Sequence, residues 1–198
     1  MAISDELLTG LAAQAFNMAR QDIKRGKFNF LLAGYHEGEP LRRMKRAEAL
    51  IIERLGENWL ANGEAKDIGF GILRLGIRLL PPDAVIIATE ANLFRPTPKV
   101  LALPWEEQEK LRNATSDDHH QAVRDGLLEV GDALHVTVQT PERVCFYIQE
   151  FGPGGPKGRP ESFCFDQSEF DGRLKLFGEG ENTAPFPHLR SPMEGDPQ

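Results

Sequence analysis

The densest run of reactive side chains in this 198-residue chain is Ser116-Asp117-Asp118-His119-His120. Carboxylates and imidazoles are ordinary ligands of divalent metals, and a metal-bound water at neutral pH is a hydrolytic nucleophile. The spacing limits that chemistry. The run sits where a helix should start, and successive helical side chains point about 100° apart, so at most two of Asp117, Asp118, His119 and His120 can face one ion. Further donors would have to come from Glu90, His36 or His135. Glu90, His119 and His120 are then the candidate catalytic groups, one of them serving as general base. A simpler account also holds: Thr115 or Ser116 caps the helix, and Asp117 and Asp118 occupy the first turn, where the helix dipole favours acids.

A second cluster is basic. Arg42, Arg43, Lys45 and Arg46 crowd one stretch, and Arg20, Lys24, Arg25 and Lys27 precede it. Together they make a candidate binding face for an acidic protein partner, for a phosphate, or for the chain's own acidic half across a homo-oligomer. Glu48, Glu53 and Glu57 interleave with the basic residues, as on a solvated helix side. No aromatic residues stand among them to stack bases. The formal charge is −7 and uneven. Met1 to Leu80 carries 12 Lys+Arg against 10 Asp+Glu, a net of +2, and the remainder 11 against 20, a net of −9. An acidic chain is repelled by a phosphate backbone, which disfavours nucleic acid as a partner.

Other catalytic and cofactor patterns are missing from the sequence. It has no Gly-x-Ser-x-Gly, no His-Glu-x-x-His and no Gly-Lys-Ser/Thr. The glycines at 69, 71 and 76 lack the spacing of a dinucleotide loop, and no cofactor is implied by motif. Gly154, Gly155 and Gly158 with Lys157 and Arg159 read as a flexible hairpin connection. Cys145 and Cys164 lie in apolar, aromatic stretches with no His or Lys beside them, so they are expected as buried, reduced thiols. That expectation, with acids at the start where a leader would be basic, points to the cytoplasm. No apolar run approaches the ~20 residues of a membrane span, which disfavours a membrane partner.

The elements that must hold these residues follow from periodicity. Ser4 caps a helix whose apolar positions run from Leu8 to Ile23 and which stops at Gly26. A buried strand is expected over Phe28–Tyr35, a helix over about Arg42–Leu60, and a glycine-bearing helix over Asp67–Leu80, its glycine side packed on a sheet. Ala84–Thr89 reads as a central strand, and the chain then leaves the sheet through Glu90 and the Pro96/Pro98 pair. Short helices are expected at Trp105–Asn113 and Ser116–Leu128. Alternation returns at His135–Gln139 and Val144–Gln149 around a Thr140–Arg143 turn, then at Phe163/Phe165 and Leu174/Leu176.

The implied fold is α+β: N-terminal helices packed on one face of a mixed, mostly antiparallel sheet, with hairpins in the second half. It forms a single domain over residues 1–177, with a disordered tail over 178–198. The function expected from these features is a non-catalytic cytoplasmic binding or regulatory module able to self-associate. The competing expectation is a metal-assisted hydrolase built on Asp117–His120.

Overall fold

The structure, a computed structural model, describes residues 3–26, 28, 30–57, 59–61, 63–152, 155–170 and 176–177. It is α+β, with an antiparallel sheet and late hairpins, as the periodicity implies. The sheet order is β2-β1-β3-β4-β5-β6, with a further strand, β7, on β5. The strands are β1 (Phe30–Tyr35), β2 (Arg42–Arg43), β3 (Ala84–Pro96), β4 (Leu128–Gln139), β5 (Arg143–Gly152), β6 (Gly155–Pro156) and β7 (Glu161–Asp166). The described residues gather into two compact units: those within 3–89, 136–146 and 162–177 in one, and those within 90–135 and 147–161 in the other. The second cysteine-bearing hairpin is described, but Leu174 and the tail over 178–198 lie outside the described residues.

In the first unit, α1 (Asp5–Lys24) begins where its cap dictates. Ser4 Oγ accepts from Leu7 N at 3.3 Å, and Asp5 and Glu6 fill the first turn. Its buried stripe is Leu8, Leu11, Ala12, Ala15, Phe16 and Ala19, and it stops at Gly26, whose φ is +63°. β1 pairs antiparallel with β3, from Phe30 opposite Thr89 to Tyr35 opposite Ala84. Phe30 and Leu32 of β1 join a core with Ile51, Trp59, Phe70, Leu73, Ile77, Val85 and Ile87. Leu31 and Ala33 point the other way and are equally buried, and both α1 and α2 (Lys45–Leu55) contact β1. Helices therefore cover both faces of this part of the sheet, where one covered face was expected.

Two elements start or end elsewhere than the periodicity suggests. Arg42 and Arg43 do not open the second helix: they pair with Gly34 and Ala33 as β2, and α2 begins at Lys45. A 3-10 turn, Trp59–Ala61, then leads into α3 (Gly63–Leu79). Of the α3 glycines, Gly69 packs against Trp59, while Gly76 faces open space. A Cβ at Gly69 would lie 2.7 Å from Trp59 Cε3, closer than real Cβ contacts occur. β3 runs on past Thr89 to Pro96, so Glu90 is a strand residue and the prolines end the strand seven residues later than expected.

Cys145 and Cys164 form a disulfide, which overturns the expectation of free thiols. The physical reason is register. β7 runs back along β5, Gln167 N donates to Glu142 O at 2.7 Å, and this places the two cysteines side by side on adjacent strands. On the other side of β7, Phe163 stacks on Phe146 with 5.3 Å between ring centroids. The closed loop of 19 residues predicts that reduction, or Cys164→Ser, lowers unfolding free energy by about 3 kcal/mol. Denaturant unfolding with and without dithiothreitol checks it; identical midpoints, with thiols counted before and after, would show that the bond contributes nothing.

The second unit holds α4 (Pro98–Leu101), α5 (Trp105–Arg112) and α6 (Ser116–Arg124) around a small core. Val100, Ala122 and Leu128 are its buried residues, with Phe94, Leu103, Leu111, Val123 and Leu127 packed on them. Among the described residues no helix is long and apolar enough to cross a membrane.

Candidate functional site

The Asp117–His120 run is local structure in the second unit. Thr115 caps α6, and its hydroxyl and Asp118 form a reciprocal capping box. Thr115 Oγ1 donates to Asp118 Oδ2 at 2.7 Å. Hydrogen bonds from Thr115 hold the Asp118 carboxyl below the usual carboxylate range. His119 Nε2 lies 2.7 Å from Leu111 O, so that nitrogen carries the proton and donates to the carbonyl. The ring of Phe94 contacts both imidazoles, with its centroid 5.0 Å from that of His119 and 5.2 Å from that of His120. Asp117's side chain lies outside the description.

The remaining donors are scattered. Glu90 is an exposed residue of β3, and His36 is exposed in the turn after β1. His135 is half-buried on β4, where burial lowers its pKa and favours the neutral ring. Among the described residues no group of three or more His, Cys, Asp or Glu side chains is arranged to hold a metal ion.

The basic cluster divides by burial. Arg43 bridges Asp22 of α1 and Glu48 of α2, with Nε 2.8 Å from Glu48 Oε2. Burial alone would lower the Arg43 pKa, but the hydrogen bonds it donates to Glu48 and Asp22 outweigh burial and raise it. Arg42 is exposed and lies 3.4 Å from Glu39. Lys45 and Arg46 are exposed at the start of α2. The cluster thus supplies one internal tie and three surface cations.

A second carboxylate centre escapes sequence reasoning altogether. In the second unit, Glu150 of β5 accepts from Lys157 Nζ at 3.0 Å and pairs with Arg95 of β3. Gly131 leaves room for it, since a Cβ there would stand 3.3 Å from Glu150 Oε1. The Lys157 hydrogen bond, then Arg95, hold the Glu150 carboxyl below its ordinary range. Gln149 Nε2 also donates to Lys157 O and Gly158 O, at 3.2 and 2.9 Å, so the Gly/Pro connection is tied to β5 by its own neighbours.

A concave feature lies in the first unit, at the sheet end where β1 finishes, β3 begins and the β4–β5 turn crosses. A cleft of about 280 Å³ is lined there by Ile3, Ser4, Leu7, Tyr35, Glu37, Asp83, Pro141 and Glu142. Its walls are fixed by backbone ties. Asp83 N donates to Tyr35 O at 2.9 Å, and Glu37 N to Asp83 Oδ2 at 2.7 Å. Thr140 Oγ1 accepts from Glu142 N and Arg143 N, at 3.2 and 2.9 Å, which shapes the turn. Arg143 pairs with Asp5, so its charge is engaged beside the cleft.

Tyr35 is the informative residue. Strand alternation sends its side chain to the α1 side with Leu31 and Ala33, and it is 8% exposed. Its phenol oxygen has no hydrogen-bond partner among the described residues. The oxygen itself is not fully buried and keeps access to water. Sequence reasoning missed this cleft because each lining residue reads alone as a cap, a strand end or a turn. No protein-family model matches the chain, no curated protein matches it, and no solved structure matches its fold.

Proposed function

We propose that this protein is a non-catalytic binding module whose ligand site is the cleft beside the N-terminus of α1. The observation that carries this reading is the cleft itself, where the Tyr35 phenol and the carboxylates of Glu37 and Glu142 meet over the apolar walls of Ile3, Leu7 and Pro141. Four separate chain segments converge there on rigid element ends, the usual seat of a recognition site. The competing metal-assisted hydrolase draws less support, because Asp118 and His119 are already spent on the cap and on Leu111 O.

The same proposal includes self-association. Leu75, Leu79 and Leu80 at the end of α3 are 48%, 72% and 80% exposed and offer apolar surface to a second copy. The cytoplasm as its compartment loses the thiol argument, since disulfides persist in oxidising surroundings.

A mixture of small fragments, screened by ¹H–¹⁵N NMR on the intact chain, is expected to shift the amides of Ser4, Leu7, Glu37 and Glu142. Shifts gathered on α6 around His119 and His120 instead would move the site there and refute the reading.

A further inference from the structure

We infer that the cleft takes a small organic cation, an ammonium or guanidinium group on a short apolar stem; this rests on the cleft being the ligand site proposed above. The charge around it is one-sided. Glu37, Asp83 and Glu142 all line it, and among the described residues no cation does. Asp83 spends one oxygen on the Glu37 amide, while the carboxylates of Glu37 and Glu142 have no partner among the described residues. The nearest arginine, Arg143, is paired with Asp5.

One term opposes a cation. The N-terminus of α1 carries a partial positive charge of about half a unit, but Asp5 and Glu6 already sit in its first turn. Three full negative charges outweigh it.

Geometry then selects among cations. A bare divalent ion needs several oxygens within about 2.0–2.6 Å of one point. The carboxylates here do not converge in that way. An ammonium or guanidinium group spreads its donors over several N–H bonds and reaches separated acceptors, the phenol oxygen of Tyr35 among them. The apolar walls, Ile3, Leu7 and Pro141, suit a methylene stem. Size agrees as well. The volume is about nine waters' worth, just under the roughly 300–1,000 Å³ of pockets for drug-sized ligands. It suits a side chain or a short amine.

The test uses three probes of one shape on the full chain: n-butylammonium, n-butanol and butyrate, titrated by ¹H–¹⁵N NMR. Butylammonium is expected to shift the amides of Ser4, Leu7, Glu37 and Glu142 at lower concentration than butanol, with butyrate weakest. Added salt should weaken butylammonium alone. Glu37→Gln combined with Glu142→Gln should weaken it about fivefold while leaving butanol unchanged. Tyr35→Phe should weaken it too, with the thermal midpoint retained. An acetylated, amidated Gly-Lys-Gly tripeptide forms the fourth arm: tighter binding than butylammonium identifies a protein side chain as the source, and weaker binding a free amine. Butanol or butyrate binding as tightly as butylammonium overturns the inference while the cleft stays the ligand site. If none of the probes moves these amides, the inference and the ligand-site reading fall together.

Discussion

Trp59→Ala is expected to lower the unfolding free energy by about 3–5 kcal/mol, the range for truncating a large aromatic in a packed core. Trp59 is 1% exposed and links three elements. It meets Phe30 of β1 edge-on, with 5.4 Å between ring centroids, and Phe70 of α3 at 5.6 Å. Gly69 gives up its side chain to let the ring lie against α3. An alanine here leaves a void bordered by Phe30 and Phe70, within a close-packed core whose members cannot fill it without leaving their own places. Against a typical total of about 5–15 kcal/mol the loss brings the fold to the edge of stability. Urea unfolding followed by far-UV dichroism measures it, with Trp59→Phe as the partner variant expected to lose less. A loss under about 1 kcal/mol would mean that the ring is peripheral and that α3 is held by other contacts.

How much of this was legible in the sequence depended on how local each decision was. The first helix is written within its own residues: the Ser4 cap, the acids at 5 and 6, the apolar stripe and Gly26 agree, and the structure follows them. The Thr140–Arg143 turn and the alternating strands around it are equally local. Arg42 and Arg43 are different. Their spacing continues a helical stripe, but hydrogen bonding to Ala33 and Gly34 across the sheet wins, a contact that no window of local sequence contains. The extension of β3 to Pro96 and the pairing of Cys145 with Cys164 are decided in the same way, by strand neighbours distant in sequence.

The sites sort along the same line. Within the conspicuous run at Asp117–His120, Asp118 takes part in the cap of α6 and His119 in a hydrogen bond to Leu111 O, both contacts within a few residues of the run. Tyr35, Glu37, Asp83 and Glu142 carry no signal one at a time. Only the meeting of the ends of β1, β3, β4 and β5 makes them a cleft.

Arg43 has the further consequence that a test of the basic face must leave it alone, and Glu48→Ala shows why. That substitution is expected to cost about 3–5 kcal/mol, the range for breaking a buried ion pair from one side. Glu48 is 6% exposed. Its Oε1 accepts from Leu32 N at 2.7 Å, and its carboxylate pairs with Arg43 Nε. Alanine leaves a strand N–H unpaired in a fully buried stretch of β1 and a half-buried arginine with only Asp22 to balance it. A surface pair would cost about 0–1 kcal/mol, so the measured value separates the two cases cleanly. Arg43→Met alone should be costly for the mirrored reason, since Glu48 and Asp22 would then be unbalanced. The double variant Arg43→Met with Glu48→Met should lose less than the sum of the single changes, because neither charge is stranded. Strict additivity in denaturant unfolding would mean that the two groups do not act as a pair. Charge reversal of Arg42, Lys45 and Arg46, all exposed, leaves this tie intact, and so any partner lost in those variants is lost from the surface and not through unfolding.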